Sequence, residues 1–207
     1  WRRDHFPNYK AGRKKSRESS NLDWDTIFGC LNEIKQELKD YFPYKHIEVY
    51  GAEADDIIGF LCEENRDEKI MIISGDKDFI QLQKFPNVKQ WSPITKKDIN
   101  GFDPTIYLKE HILKGDTSDG VPNVLSPDNT FVDGLRQRPL SRKKIQSWLV
   151  GGGSDWNDEV KRNFQRNLTL IDLTKTPEEL KNQIRLEYNN ASHGDRSKLL
   201  NYFMIYK

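Results

Sequence analysis

The chain has 207 residues, of which 35% are hydrophobic and 31% charged, and its formal net charge is +1. This length suits one domain, or one domain with an appended lobe, and ten Phe, eight Tyr and five Trp supply core material that a disordered chain lacks. No apolar run is long enough to span a membrane, which excludes a transmembrane protein. Cys30 and Cys62 are too few for a disulfide scaffold or a zinc site and indicate a reducing, cytoplasmic compartment.

The periodicity of the apolar residues predicts a strand-helix-strand unit followed by a helical lobe. Residues 21–23 (NLD) could cap the first helix, and Pro104 suits the first position of a later one, with Asp103 as its N-cap. The predicted elements are, in chain order, helix 21–38, strand 46–50, helix 53–65, strand 69–74, short helix 79–83, strand 88–92, a helix from 103 to about 112, and helices 141–150, 159–168 and 177–184. The fold class is therefore α/β, a parallel sheet flanked by helices, with a C-terminal helical lobe.

Charge is distributed unevenly along the chain. Residues 1–20 carry seven basic and two acidic side chains, whereas residues 48–78 carry ten acidic and three basic ones. Phosphate backbones require cations, and hard metal ions require carboxylates. A basic arm and an acidic centre in one domain therefore point to a nuclease.

Three acidic groups follow predicted strands or begin a helix near one. They are Glu53, Asp55 and Asp56; Asp76 and Asp78; and Asp116 and Asp119. In an open α/β sheet, ligands bind beyond the carboxyl ends of the strands, so the three groups are expected to converge there. At ~100° per residue, Glu53 and Asp56 share a helix face while Asp55 points elsewhere, which suits two ions.

Each acidic group also has an ordinary structural explanation. Carboxylates at a helix N-terminus complement the macrodipole, and Asp-rich turns are common on surfaces. The basic arm could likewise be a solvated tail. The four histidines, at positions 5, 46, 111 and 193, lack ligand spacing, and no metal role is assigned to them.

The acidic groups lie in motifs that resemble those of the 5′ nuclease family, which includes flap endonucleases and 5′-3′ exonucleases. The matching segments are 53–56 (EADD), 73–78 (ISGDKD) and 114–122 (KGDTSDGVP). Residues 87–93 (NVKQWSP) look most like the T-even phage ribonuclease H branch. The resemblance implies a PIN-like core over residues 1–124, with an arch segment at residues 1–40, and a DNA-binding helical lobe over residues 125–207.

The resemblance also implies roles for individual side chains. The seven acidic residues named above would hold two Mg²⁺ ions, with Mn²⁺ as an alternative. Asp76 would touch the first ion, and Asp78, Asp116 and Asp119 would lie toward the second. In the arch segment, Tyr9 would stack on a base, while Lys10 and Arg13 would act catalytically at the scissile phosphate. The further nucleic-acid-binding residues would be Lys14, Lys15, Arg142, Lys143 and Lys144.

Two features depart from the family pattern. Family members supply further aspartates from two strands that precede the arch, so these N-terminal strands are expected upstream of Trp1. Most members also have a Gly-x-Gly hairpin that grips duplex DNA, and residues 124–140 lack it. The basic stretch 136–144 is expected to substitute for that hairpin.

The expected function is a divalent-metal-dependent 5′-3′ exonuclease and flap endonuclease acting on DNA and RNA·DNA duplexes. Its expected biological role is removal of RNA primers in phage replication, in the host cytoplasm, as a monomer away from membranes. A sliding clamp and a single-strand-binding protein are expected partners. Two alternatives stay open: a related metal-dependent ribonuclease acting on single strands, and a structure-specific nucleic-acid-binding protein that no longer cleaves.

Overall fold

A small sheet lies among the helices, in a computed structural model that describes residues 1–205 apart from the side chains of Lys14 and Lys15. Strands β1 (Ile70–Ile73) and β2 (Val88–Ser92) are parallel, with Ile70 opposite Val88. Strand β3 (Lys97–Asp98) pairs antiparallel with β2. A 3-10 helix, Lys77–Lys84, connects the parallel strands and buries Phe79, Ile80 and Leu82 beneath them. The crossover places the segment after β1 at the carboxyl edge of the sheet.

Helices account for most of the remaining regular structure. They are α1 (Arg2–His5), α2 (Ala11–Glu18), α3 (Trp24–Tyr41), α4 (Ala54–Glu64), α5 (Pro104–Lys114), α6 (Arg142–Gly151), α7 (Asp158–Ile171), α8 (Glu178–Asn190) and α9 (Ser197–Ile205), with a second 3-10 helix at Leu173–Lys175. Among the described residues, no helix has the length and apolar character needed to cross a bilayer.

The predicted helices and two of the predicted strands are confirmed. Helix α5 begins where expected, because Asp103 accepts hydrogen bonds from the amides of Thr105 and Ile106 and Pro104 occupies the first turn. The prediction of a strand at residues 46–50 is wrong, since those residues form no strand in the described chain. Their apolar side chains Ile47 and Val49 instead pack in a cluster with α4 and α8.

Helix α3 differs from its sequence-based expectation in its surroundings. Asp23 caps it by accepting a hydrogen bond from the Thr26 amide, as the sequence predicts. Its apolar stripe, however, is largely uncovered: no α3 side chain is fully buried by the described residues, and Leu31 and Ile34 are about half exposed. The predicted helix is therefore confirmed, and its apolar stripe has few partners among the described residues.

The core joins residues 1–40, the segment expected to form the arch and called the arch segment below, to the part of the chain expected to form the C-terminal lobe. One cluster joins Phe6 and Tyr9 to Ile112, Val121 and Leu170. These residues come from the start of the arch segment, α5, the loop after α5, and α7. The acidic loop after α5 is thus packed between the arch segment and the lobe, at the edge where the β1 segment also ends.

Candidate metal centre

Carboxylates from three separated segments line one cleft of about 300 Å³. The acidic residues in its wall are Asp55, Asp76, Asp78, Asp116 and Asp119. The cations of Lys10 and Arg13 lie at the same cleft, as do Tyr107, His111 and Ser118. The structure therefore brings together five of the seven acidic residues that the sequence singled out, together with the two cations expected to act catalytically.

Hydrogen bonds between side chains and the backbone fix the segment that presents Asp76 and Asp78. The Asp76 carboxylate caps the 3-10 helix by accepting from the Asp78 amide at 3.0 Å. Behind it, the buried side-chain amide of Gln90 on β2 donates to the carbonyl oxygens of Ser74 at 2.9 Å and Asp76 at 2.6 Å. Gln90 thus ties the end of β1 and the cap to the neighbouring strand, which limits the freedom of both carboxylates.

A tight loop presents Asp116 and Asp119. Gly115 has a positive φ of 69°, and a Cβ there would overlap the backbone carbonyl of Val121, so only glycine fits. Within the loop, the Asp116 Oδ1 atom accepts from the Ser118 amide at 2.8 Å and the Ser118 hydroxyl at 2.7 Å. This leaves the second oxygen, Oδ2, on the side of His111.

Lys10 and Arg13 reach the acidic groups from the arch segment. The Lys10 ammonium lies 2.6 Å from Glu53 Oε1 and 3.5 Å from Asp119 Oδ2, and the Arg13 guanidinium lies 2.6 Å from Asp119 Oδ1. The backbone of Lys10 is left-handed, with φ of 55°, and its amide donates to the Asp119 carbonyl at 2.8 Å. A left-handed lysine costs roughly 1–2 kcal/mol, which the neighbouring contacts must offset.

Tyr9 does not have the surroundings that base stacking requires. Its ring is 5% exposed and packs with Ile112, Val121 and Leu170. Its hydroxyl lies 2.7 Å from Asp119 Oδ2 and 3.0 Å from Glu53 Oε2. Burial, followed by the neighbouring carboxylates, raises its pKa well above the ordinary value. In this arrangement the ring is not accessible to a base, and the neutral hydroxyl, which has one proton to donate, lies within hydrogen-bonding distance of two carboxylates.

The two aspartates of the EADD segment have opposite roles. Asp55 lines the cleft, and its pKa is raised by burial and by the nearby Asp76. Asp56 is completely buried and accepts hydrogen bonds from both terminal nitrogens of Arg2, at 2.9 and 2.7 Å. It also accepts from the Glu53 amide at 2.9 Å and the Thr176 hydroxyl at 3.1 Å. The structure therefore does not bring Asp56 into the cleft wall with the other predicted ligands, because its side chain is completely buried against Arg2.

Glu53 lies at the edge of the cleft and not in its wall. As predicted, it shares a helix face with Asp56, and the two form a reciprocal capping box at the start of α4. Its carboxylate is engaged by Lys10, Tyr9 and, at 3.5 Å, by Arg2. Glu53 therefore supports the arch segment directly and the acidic cleft only through Lys10 and Tyr9.

The centre of the cleft concentrates negative charge around one imidazole. Burial, together with Asp76, Asp116, Asp55 and Asp119, raises the pKa of Asp78 to about 7. One ligand atom each from Asp78, His111 and Asp116 lies within 4.8 Å of the other two. Burial lowers the pKa of His111, so its ring is neutral at neutral pH. Carboxylate oxygens with a neutral imidazole form a donor set that fits a divalent cation, which would relieve the mutual repulsion of these carboxylates.

Sequence reasoning missed three residues near the cleft: Tyr107, His111 and Arg2. The first two lie four residues apart on α5, and His111 stands five residues before Asp116. That spacing places both on one face of the last turns of α5, next to the acidic loop, so helical periodicity could have identified them. Arg2 had no such signal, because its partner Asp56 is 54 residues away.

The predicted basic residues of the lobe lie apart from the cleft. Arg142, Lys143 and Lys144 are exposed in the first turn of α6, whose N-cap is Ser141. Arg142 lines a separate groove between α5 and α6. The side chains of Lys14 and Lys15 fall outside the described part of the structure.

Comparison with known protein families gives two overlapping matches. The 5′-3′ exonuclease N-terminal resolvase-like domain matches residues 1–111, and the C-terminal domain of T4 RNase H matches residues 103–207. Ribonuclease H of Enterobacteria phage T4 is 36% identical over 219 aligned residues, which cover 99% of this chain and 70% of the phage protein. DNA polymerase I of Streptococcus pneumoniae is 31% identical over 202 residues, covering 86% of this chain but 21% of the polymerase.

Solved structures share the fold. The D15 protein of bacteriophage T5, crystallised with metal ions, superposes with a TM-score of 0.64 at 18% identity, over 91% of this chain and 80% of the T5 chain. A complex of the T5 flap endonuclease with DNA and metal ions gives a TM-score of 0.63 at 17% identity, over 91% and 78% of the two chains. With more than half of its residues matched by the exonuclease domain and 70% of the phage T4 relative covered, the chain belongs to the 5′-3′ exonuclease family of metal-dependent nucleases.

Proposed function

We propose that the chain hydrolyses phosphodiesters near the 5′ ends of DNA and RNA·DNA duplexes, including 5′ flaps, with two Mg²⁺ ions, for which Mn²⁺ can substitute. We further propose that it removes RNA primers during phage DNA replication in the host cytoplasm. The observation that carries this proposal is the convergence of five carboxylates from three segments on one cleft that also contains Lys10 and Arg13.

The side chains divide into ligands and supports. Asp55 and Asp76 would hold the first ion, and Asp78, Asp116 and Asp119 the second. When bound, such ions lower the pKa of water and stabilise the charge that develops on the phosphate. Glu53 and Asp56 support the cleft from behind, by holding Lys10 and Arg2 in place.

Lys10 and Arg13 suit contact with the scissile phosphate. Lys10 lies at the acidic cleft with its Nζ 2.6 Å from Glu53, and Arg13 is about half exposed above Asp119. Each cation retains N–H donors that its carboxylate partner does not use, and these can bind a phosphate oxygen. Because they recognise charge and not base edges, they provide electrostatic stabilisation without sequence preference.

The lobe supplies contacts away from the cleft. Arg142, Lys143 and Lys144 are exposed at the start of α6 and are suited to phosphates of the duplex. Recognition of this kind selects substrate structure. We propose that the protein acts as a monomer and that a sliding clamp and a single-strand-binding protein are its partners during replication.

A cleavage assay with matched variants tests the proposal. Purified protein is incubated with Mg²⁺ and three labelled substrates: a 5′-flap DNA, an RNA·DNA duplex with a free 5′ end, and a single strand. Asp76→Asn removes charge from the cleft, while Asp98→Asn removes the same charge from an exposed position on β3. We expect cutting of the first two substrates, its loss by about 100-fold or more in Asp76→Asn, and unchanged cutting in Asp98→Asn.

Other outcomes would overturn the proposal in favour of a specific alternative. Binding of the flap without cutting, with an affinity that falls steeply with salt, would identify a structure-specific binding protein. Preferential cutting of single-stranded RNA would identify a ribonuclease of a related metal-dependent fold. Equal activity of both Asn variants would show that the cleft is not where cleavage occurs.

A further inference from the structure

One imidazole faces the acidic cleft among the carboxylates. His111 lies in the last turn of α5, and its two ring nitrogens face different aspartates. Nδ1 is 3.5 Å from Asp78 Oδ1, and Nε2 is 3.8 Å from Asp116 Oδ2. The ring therefore lies between the carboxylates that follow β1 and those of the loop after α5.

The ring nitrogen nearest Asp78 has no satisfactory protein partner. Nδ1 of His111 is buried and makes no hydrogen bond to any described residue. A buried polar atom left without a partner costs ~1–3 kcal/mol, so such atoms are normally paired. The 3.5 Å separation from Asp78 lies at the limit of a hydrogen bond, which is typically about 2.7–3.2 Å long.

The same separation suits two atoms that share an ion. Bonds from a metal to imidazole nitrogen and to carboxylate oxygen are each ~2.0–2.2 Å, so two ligand atoms of one ion are at most ~4.4 Å apart. The 3.5 Å separation between Nδ1 and Asp78 Oδ1 falls below that limit, and one ligand atom each from Asp78, His111 and Asp116 lies within 4.8 Å of the other two. A ring nitrogen that carries no proton has the lone pair that a ligand needs, and Nδ1 of His111 is buried beside Asp78 with no hydrogen bond to a described residue.

We propose that His111 is a nitrogen ligand of the ion held by Asp78 and Asp116, and that it gives this position a preference for Mn²⁺ and Co²⁺ over Mg²⁺. The proposal deepens the proposed function, because it concerns one of the two ions required there. Mg²⁺ favours carboxylate and water oxygens, whereas imidazole binds later divalent metals more strongly in the order Mn²⁺ < Fe²⁺ < Co²⁺. An all-aspartate position would show a smaller preference.

Magnetic resonance on the Mn²⁺-loaded protein tests the proposal without nucleic acid. Pulsed electron paramagnetic resonance detects coupling between Mn²⁺ and a directly bound ¹⁴N nucleus. We expect this coupling in the unaltered protein, its loss in His111→Ala, and its retention in His46→Ala. His46 is a suitable control because it lines a different cleft, beside α3 and the end of α8.

Titration calorimetry adds the affinity comparison. We expect His111→Ala to weaken Mn²⁺ and Co²⁺ binding by roughly tenfold or more and Mg²⁺ binding by about threefold or less. Absence of ¹⁴N coupling in the unaltered protein, which requires no variant to fold, would overturn the proposal. Equal weakening of Mn²⁺ and Mg²⁺ binding would also overturn it, by showing that His111 only orients the carboxylates. Because neither measurement involves cleavage, failure here is distinguishable from failure of the proposed nuclease function.

Discussion

The buried ion pair between Arg2 and Asp56 yields a sharp prediction about stability. Asp56 is completely inaccessible and Arg2 is 4% exposed. Replacing Arg2 by methionine removes two charge-assisted hydrogen bonds to Asp56 and one to the Leu170 carbonyl. Each charge-assisted hydrogen bond contributes ~1.5–3 kcal/mol, and breaking a buried ion pair costs ~3–5 kcal/mol. We therefore expect the free energy of unfolding to fall by about 3–5 kcal/mol.

Urea unfolding followed by circular dichroism measures this change. With a slope of about 2–3 kcal/mol per molar urea, the midpoint should fall by about 1–2.5 M in Arg2→Met. Arg3→Met is the matched control, since Arg3 is exposed and its loss should change stability by about 0.5 kcal/mol or less. A midpoint change in Arg2→Met no larger than in the control would refute the reasoning.

Further variants test whether Asp56 is a structural residue or a metal ligand. In Arg2→Met/Asp56→Leu the unpaired buried charge is absent, so this double variant should be more stable than Arg2→Met alone. Asp56→Asn should lose stability while its Mn²⁺ affinity stays close to that of the unaltered chain. The opposite result, normal stability with lost Mn²⁺ affinity, would return Asp56 to the metal ligands and refute its assignment as a structural residue.

Two further predictions concern the segments that present the acidic residues. Gln90→Met removes the two hydrogen bonds from the Gln90 side chain to the segment after β1, so Mn²⁺ affinity measured by calorimetry should fall by about tenfold. The control Gln81→Met removes two hydrogen bonds between a buried glutamine and the lobe, and it should leave the Mn²⁺ affinity unchanged. Gly115→Ala forces a methyl group against the Val121 carbonyl at positive φ, so the free energy of unfolding should fall by about 3 kcal/mol or more. The control Gly29→Ala lies at an open position on α3, where alanine favours the helix, and it should raise the free energy of unfolding by ~1 kcal/mol. Loss of Mn²⁺ affinity in both Gln variants, or a tolerated Gly115→Ala, would contradict these expectations.

Local signals in the sequence were sufficient where the determinants are local. Asp103 and Pro104 mark the start of α5 because a cap and a fixed φ act within one turn. Strand β1 is recognisable as a short apolar run bounded by the polar segment that contains Asp76. Residues 46–50 show the limit of this approach. Their apolar and polar residues do alternate, but Ile47 and Val49 pack against helices and the segment forms no strand. Periodicity alone does not distinguish these two arrangements.

The remainder of the site depends on contacts between distant parts of the chain. Tyr9 is an aromatic residue in a basic stretch, which is typical of a nucleic-acid contact. Only its packing against Val121 and Leu170, more than 100 positions away, shows that its ring is inaccessible. The position of His111 could have been inferred from its spacing to Asp116, but its unpartnered nitrogen depends on Asp78 from a different element. Sequence spacing locates these residues on an element and leaves their surroundings undetermined.

Asp55 and Asp56 show most directly why a motif underdetermines a site. They are adjacent, of the same type, and ~100° apart around α4. That rotation is enough to place Asp55 in a cleft with other carboxylates and Asp56 against the guanidinium of Arg2. Asp55 therefore faces other carboxylates whose repulsion a metal ion would relieve, whereas the charge of Asp56 is already compensated by a buried guanidinium. The difference between the two follows from where each side chain lies and not from the motif, so the ligands in this acidic segment are identified by their surroundings.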